Sequence, residues 1–392
     1  MQQDIKLKKG ADKRIRSGHL WIFSNEITDK LKKYKGGDIA DLYSYKGEFL
    51  GRGYINPLSL IAIRILTYKK EDIDTNFFYN RINRALSYRK EMYPDANSYR
   101  VVFGESDFLP GLIVDKYEDY LIVQILSLGM EIRKDTILNA LEDVFHPAGI
   151  IERNDVAVRE LEGLKIHKGI LKGDLKDNII IRENGVKFEV DILNGQKTGF
   201  FFDQRENRQV IKKYVKKGGR VLDCFCYSGA WSIHSARNGA GEVIGLDSSD
   251  DAIKLAKRNA EINGFSERCR FKNVDVFDEL RRLVSVGEKF DAIILDPPAF
   301  VKSAGKVKEA LKGYKEINLQ AMKLLKNGGI LITCSCSYHI DKETFRDMLI
   351  QAASDSERDF RIIEFRGQAP DHPVLLSMRE TEYLKCAVLK MG

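Results

Sequence analysis

The sequence predicts an α/β protein in which a Rossmann-like, doubly wound domain follows a small β-rich domain and a small central α/β domain. Three patterns predict it. Short apolar runs alternate with helical spacing from about residue 186 onward, brief alternating segments cut by Gly and Asn-Pro turns fill residues 1–72, and strand patterns flank one helix pattern between them. At 392 residues the chain is longer than one core usually holds. A prior of roughly 150 residues per domain suits a division into 1–72, 73–185 and 186–392.

In chain order, the first domain has expected strands at 39–43, 49–55 and 60–66, separated by turn residues. A basic helix over 75–93 follows as a connector, with Phe77, Phe78, Ile82, Ala85 and Leu86 at helical spacing. The central domain has strands at 99–103, 111–115, 120–126, 149–152 and 178–182 around a helix at 133–145. In the last domain, strands are expected at 186–193, 220–225, 242–246, 269–273, 290–295 and 330–334. Helices are expected there at 206–215, 232–238, 250–263, 278–286 and 308–325. Repeated β-α units imply a parallel sheet.

The net charge of +7 is concentrated at the N-terminus, where residues 1–72 hold 15 Lys/Arg against 9 Asp/Glu. Lys6, Lys8, Lys9, Lys13, Arg14 and Arg16 precede His19, Trp21 and Phe23, which sets phosphate-directed charge beside rings that fill a small barrel. No run approaches a membrane span, and Met1-Gln2-Gln3-Asp4 leads into lysines without an apolar leader, so a soluble, cytoplasmic protein is expected. Six cysteines, four of them in Cys-x-Cys pairs, fit reduced thiols better than a disulfide framework.

Ligands in open α/β sheets sit at strand carboxyl ends, and there the sequence places acids and a thiol. The run Val221-Leu222-Asp223-Cys224-Phe225-Cys226-Tyr227-Ser228-Gly229 is a strand ending in a turn with one glycine, not the G-x-G-x-x-G of pyrophosphate binders. An adenosine without phosphate fits such a turn, with Asp223, Phe225 and Gly229 shaping it. Asp247 ends the next strand, placed for two ribose hydroxyls. Asp275 and Val276 end the third, placed for an adenine edge, and Asp296 ends the fourth. One strand-end Asp alone reads as a helix N-cap. Four in succession resemble the layout of class I S-adenosylmethionine methyltransferases.

The motifs narrow this further. Asn194-Gly195-Gln196-Lys197-Thr198-Gly199-Phe200-Phe201-Phe202-Asp203-Gln204-Arg205, Asp296-Pro297-Pro298-Ala299-Phe300, Gly313-Tyr314-Lys315, Ser335-Cys336-Ser337 and Asp371-His372-Pro373 occur in the order of the ribosomal RNA large subunit methyltransferase I family. Ser17-Gly18-His19-Leu20-Trp21 and Gly104-Glu105-Ser106-Asp107-Phe108-Leu109-Pro110-Gly111 resemble its opening and its middle module. The resemblance spans nearly the whole chain. It implies a PUA-type RNA-binding domain, a central α/β domain and a catalytic domain that uses S-adenosylmethionine to make 5-methylcytosine in 23S large-subunit ribosomal RNA.

The residues agree with that chemistry. Carbon 5 of cytosine is not nucleophilic, so a thiolate must first add at carbon 6. Cys336, at a strand end where the family's Ser-Cys-Ser places its nucleophile, is the expected catalytic thiol, and Cys334, inside the apolar strand, the expected packing thiol. Asp296, on a stiff Pro-Pro turn, is placed to hydrogen-bond the ring nitrogen 3 side. By the same resemblance Thr198, Phe201, Asp203 and Arg205 would hold the methionine end of the cofactor. Lys9, Arg14, Arg16, Pro297 and Phe300 would meet RNA, and Lys315 and His372 are either near the target pocket or structural. Ala299 stands where related enzymes carry a second cysteine, and the base that removes the carbon 5 proton is not identified.

No metal is expected. Cys224 and Cys226 should stand two strand spacings, about 10 Å, from Cys334 and Cys336, whereas zinc needs its thiolates near ~2.3 Å. Two other functions stay open: an exocyclic amino methyltransferase, whose motif would put the aromatic one residue before Phe300, and a non-catalytic RNA-binding assembly factor. A homodimer also stays open.

Overall fold

In a computed structural model the protein is described over residues 3–176, 178–196, 198–300 and 304–392; Lys197 of the segment quoted above, like Met1 and Gln2, lies outside these. The chain forms two compact units. One comprises 1–179, 191–200 and 370–381, the other 180–190, 201–369 and 382–392.

The first unit contains two five-stranded sheets. In the first sheet β1 (Gln3–Lys6), β2 (Trp21–Phe23), β3 (Ile39–Tyr43), β4 (Phe49–Ile55) and β5 (Ile61–Thr67) run in the order β1-β3-β4-β5-β2, with β1 and β3 parallel. Ile5, Leu20, Ile22, Leu42, Ile55 and Ile63 fill its core. The three expected strands are present; β1 and β2 are too short to show a period of two. The basic helix runs over Thr75–Met92, and the Asp74 carboxylate accepts from Phe77 N at 2.9 Å, capping it.

The second sheet holds β6 (Ser98–Phe103), β7 (Leu112–Tyr117), β8 (Tyr120–Ile125), β9 (Gly149–Asn154) and β10 (His167–Gly173), in the order β10-β9-β8-β7-β6. The expected strand at 178–182 is not part of it. β11 (Ile179–Glu183) pairs instead with β12 (Val186–Val190) in a separate two-stranded ribbon. The edge position falls to β10, whose residues are nearly all exposed, so no apolar alternation marked it. The 75–93 helix is more than a connector, because Phe77, Phe78 and Ile82 share one core with Val101, Val114 and Val123 of this sheet. Tyr54 of β4 joins that core, and its hydroxyl donates to Pro110 O at 2.7 Å.

The second unit is built on seven strands: β13 (Arg220–Cys224), β14 (Glu242–Asp247), β15 (Cys269–Asn273), β16 (Phe290–Leu295), β17 (Leu325–Ser335), β18 (Phe360–Arg366) and β19 (Lys385–Met391). Their order is β15-β14-β13-β16-β17-β19-β18, and β19 runs antiparallel to both neighbours. Alternate residues serve opposite faces. Leu222 and Ile293 face one core with the helices Val276–Ser285, Val307–Leu324 and Lys342–Asp355, while Val221 and Ile294 face another with Ala230–Arg237 and Asp250–Ile262. The expected helix at 206–215 is present as two short pieces, Arg205–Arg208 and Val210–Tyr214.

Candidate functional site

β14 lies on one side of β13 and β16 on the other, so the carboxyl ends of β13 and β16 open a crevice where the winding reverses. The turn after β13 enters the left-handed region three times, at Phe225 (φ 64°), Tyr227 (φ 46°) and Gly229 (φ 77°). Two non-glycine residues in that region store strain on the order of 1–3 kcal/mol each, and Asp247 helps to hold them. Its Oδ2 accepts from Tyr227 N and its Oδ1 from Ser249 N, both at 2.9 Å. A side chain at Gly229 would press on Ala256 and Phe271 at 3.1 Å. The Phe201 ring stands edge-on to Tyr227, with centroids 5.4 Å apart.

Each remaining strand-end acid has its own environment. Asp223 is fully buried, and its Oδ2 accepts from Ser232 Oγ at 2.6 Å. Its Oδ1 finds no partner among the described residues. Burial, opposed by the Ser232 bond and reinforced by the Asp296 charge, pushes this carboxyl up to about 7. Asp275 caps the helix Val276–Ser285, accepting from Asp278 N at 3.0 Å, while Val276 packs into the core. Asp296 accepts from Gln204 Nε2 at 2.8 Å and Trp231 Nε1 at 2.9 Å, and burial raises its carboxyl against the pull of the Trp231 bond. Asp203 is buried and accepts from the Tyr383 hydroxyl at 2.6 Å.

Cys336 comes to this cluster from β17. Its thiol is half-buried, and Sγ lies 3.9 Å from Pro297 O, the carbonyl that follows Asp296. The other five cysteines are buried. Cys334 is fully buried opposite Cys386, and burial pushes its thiol far up. The turn around Cys336 is held from two sides. Ser337 Oγ lies 2.9 Å from the Tyr314 hydroxyl, and Ser337 O accepts from Lys385 Nζ at 2.6 Å. Phe300 packs on Tyr314 at 4.6 Å and on Phe277 at 5.8 Å, and Gly313 leaves room for it.

Gln204, Trp231, Tyr383 and Lys385 escaped the sequence reading. Gln204 lies inside a quoted motif and Trp231 two residues past Gly229, so both were within reach. Tyr383 and Lys385 lie far along the chain and carried no signal.

The remaining expected site residues have the following partners. Arg205 is 2% exposed, with Nε 3.5 Å from Glu183 in a buried cluster that also holds Arg208 and His234. Lys315 pairs with Asp355 at 2.7 Å between two helices. In the first unit, Thr198 donates to Asp115 at 2.5 Å, and buried His372 meets Asp371 at 2.8 Å and the Phe103 ring at 5.2 Å. Lys9 is exposed, Arg14 pairs with Glu26 at 2.8 Å, and Arg16 pairs with Asp12 and Glu48. One potential metal group among the described residues, Glu131, Glu152 and His167, already has Lys134 and Arg159 on its carboxylates at 2.7 and 3.0 Å, which makes it an ion-pair network. β16 separates β13 from β17, the arrangement on which the argument against a four-cysteine zinc site rests.

Residues 5–68 match the PUA-like domain family, and residues 167–377 match the S-adenosylmethionine-dependent methyltransferase family. The ribosomal RNA large subunit methyltransferase I of Vibrio cholerae is 42% identical over 398 residues, covering 99% of this chain and 100% of that protein. Its namesake from Aeromonas hydrophila is 41% identical over 396 residues, covering 100% of both. A methyltransferase crystallised with SAH shares the fold over 100% of both chains, with a TM-score of 0.85 at 21% identity. An S-adenosylmethionine-dependent methyltransferase from Streptococcus mutans does so over 99% of this chain and 100% of its own, with a TM-score of 0.84 at 22% identity. With a PUA-like domain followed by a catalytic domain that depends on S-adenosylmethionine, the chain belongs to the ribosomal RNA large subunit methyltransferase I family.

Proposed function

We propose that the protein methylates carbon 5 of a cytosine in 23S large-subunit ribosomal RNA, in the cytoplasm, through a covalent adduct with Cys336. One observation carries the reading: the half-buried cysteine is the one whose sulfur lies 3.9 Å from the Asp-Pro-Pro turn. The substrate class rests on the relatives' name and the PUA-like domain.

The donor set suits the cofactor. Asp247 has lone pairs beyond its two backbone bonds for ribose hydroxyls, Asp275 and Val276 open the helix that follows the neighbouring strand, where an adenine edge would lie, and the Phe225–Gly229 turn leaves backbone close at hand. Phe201 and Asp203 lie at the methionine side in this reading. S-adenosylmethionine, when bound, supplies an electrophilic methyl group.

The chain's own residues prepare the base. The Cys336 thiolate adds to carbon 6, forming a C–S bond and moving the ring electron pair toward carbon 5 and nitrogen 3. Asp296, with its proton affinity raised by burial, donates a hydrogen bond at nitrogen 3 as charge gathers there. After carbon 5 gains the methyl group, loss of its proton returns an electron pair to the ring, and the C–S bond breaks to release the thiolate. To reach the sulfur, the cytosine must leave its stack. Lys9 offers free charge to the RNA backbone at the N-terminal domain, with Arg14 and Arg16 beside it already in ion pairs.

The test is 23S RNA carrying 5-fluorocytosine, incubated with cofactor and protein. A trapped adduct is expected with wild type and Cys334→Ala and none with Cys336→Ala. Methyl transfer without an adduct by an active Cys336→Ala would replace this reading with amino methylation. Ribosome assembly supported by Cys336→Ala without any methyl transfer would replace it with a non-catalytic role.

A further inference from the structure

We propose that Lys385 is a positioning residue that keeps Cys336 in its thiolate form, through its charge and through the backbone turn it holds; the inference rests on Cys336 being the nucleophile. A thiol needs a local cation, a helix N-terminus or a metal to ionise near neutral pH. Cys336 follows the end of β17, and its neighbour Ser335 stands directly opposite Lys385 in the antiparallel register with β19.

Lys385 is 3% exposed, an unusual place for an ammonium group. Its Nζ donates to Ser337 O at 2.6 Å and to Tyr383 O at 2.8 Å. Neutral carbonyls satisfy two of its N–H groups, and among the described residues no carboxylate is a hydrogen-bond partner that would neutralise the charge. Three groups act electrostatically on this amine. Cys336 itself is the strongest electrostatic partner of Lys385, ahead of Asp341 and Glu382. Asp341 is occupied in capping the helix Lys342–Asp355, accepting from Thr344 N at 2.8 Å, and Glu382 pairs with Lys342 at 2.5 Å. Tyr314 reaches the same turn through Ser337 Oγ, and burial first, with the Cys336 charge adding, pushes its phenol up to about 12, so it stays neutral.

Burial lowers Lys385 to about 8, with Cys336 opposing the fall. At pH 7 the ammonium form therefore still prevails, bound to the carbonyl one residue past Cys336. The same bond to Ser337 O fixes the Ser337–Tyr338 peptide, one residue past Cys336, so charge and geometry are set by one side chain.

The test measures iodoacetamide alkylation of the full-length protein across pH, with Cys336→Ala subtracted as background, in wild type, Lys385→Met and Lys385→Arg. S-adenosylhomocysteine binding checks that each variant is folded. The wild-type midpoint is expected below the ordinary cysteine value near ~8.5. Lys385→Met should move it up by about one unit, or roughly tenfold slower alkylation at pH 7, and Lys385→Arg should restore most of the rate. Equal midpoints in wild type and Lys385→Met overturn the proposal, as does Lys385→Arg matching Lys385→Met. If neither variant folds, a wild-type midpoint at or above ~8.5 overturns it and a lower one upholds it. The assay uses no RNA, so it stands apart from the adduct test: an active Cys336→Ala would remove the nucleophile reading while leaving the measured effect of Lys385 on the thiol intact.

Discussion

The sulfur of Cys336 lies 3.9 Å from the carbonyl oxygen of Pro297, so the end of β17 and the turn after β16 converge on one point of the sheet's carboxyl edge. Adjacent parallel strands bring their ends together in this way, and the Pro297-Pro298 pair stiffens one side of the junction.

From that convergence, Cys336→Ser should abolish methyl transfer while leaving cofactor binding intact. A hydroxyl is isosteric but far less nucleophilic, and loss of a covalent nucleophile costs on the order of 10⁴-fold or more in kcat. Cys334→Ser, by contrast, places a hydroxyl in a fully buried strand and should lower stability while the folded fraction stays active. Single-turnover methylation and S-adenosylhomocysteine titration on the two variants separate these outcomes.

Trp231→Phe should raise the proton affinity of Asp296. The indole N–H at 2.9 Å favours the carboxylate, and burial already works against it. Without the donor, the limb of the rate profile that reports Asp296 moves to higher pH. Gln204→Leu, removing the other donor at 2.8 Å, should move it the same way. The profile of kcat/KM against pH checks both; an unmoved limb would detach Asp296 from the reaction.

These two donors also mark where the sequence stops being legible. The strand Phe290–Leu295 is where its apolar run puts it, because both sheet faces are covered there and turn residues bound the run. The acids at 223, 247, 275 and 296 and the thiol at 336 follow from the strand ends. What was missed depends on long-range placement. β10 is exposed and so lacks alternation, and β19 enters the sheet antiparallel between β17 and β18, carrying Lys385 to the Cys336 turn while Tyr383 just ahead of it reaches Asp203. The motif points to a cofactor ligand at Arg205. Its pairing with Glu183, more than twenty residues earlier, could not be seen without the fold.

Asp223→Asn should change the pH dependence of stability more than stability itself. The folded carboxyl titrates at about 7 against 3.8 for the free group, so between those values the native state holds a proton that the unfolded chain has lost. Wild type therefore loses stability as pH rises through that window, and the asparagine variant does not. The buried amide adds a fixed cost, since Oδ1 has no partner among the described residues. The expected signature is a Tm difference that shifts in favour of Asp223→Asn between pH 5 and pH 8, read by thermal melts. A constant difference would mean that Asp223 is ionised throughout.

Glu183→Gln should be among the most damaging single changes in the catalytic unit. Glu183, Arg208, His234 and Arg205 are each no more than 2% exposed, and the Arg208 guanidinium meets both carboxylate oxygens at 2.6 and 2.7 Å. Burial pushes the Glu183 carboxyl up, but the Arg208 charge and the bonds from His234 and Arg208 outweigh it and hold the group well below the usual carboxylate range. Removing that charge takes the bidentate carboxylate away from buried Arg208, at a cost of about 3–5 kcal/mol. Because the folded pKa is depressed, the contribution is fully present above the unfolded value of 4.5 and is lost as pH falls below it. Urea denaturation at pH 7 should show a lowered midpoint with an unchanged slope, and the gap from wild type should narrow toward pH 3. A full-sized gap that persists into acid would show that packing, not charge, makes Glu183 necessary.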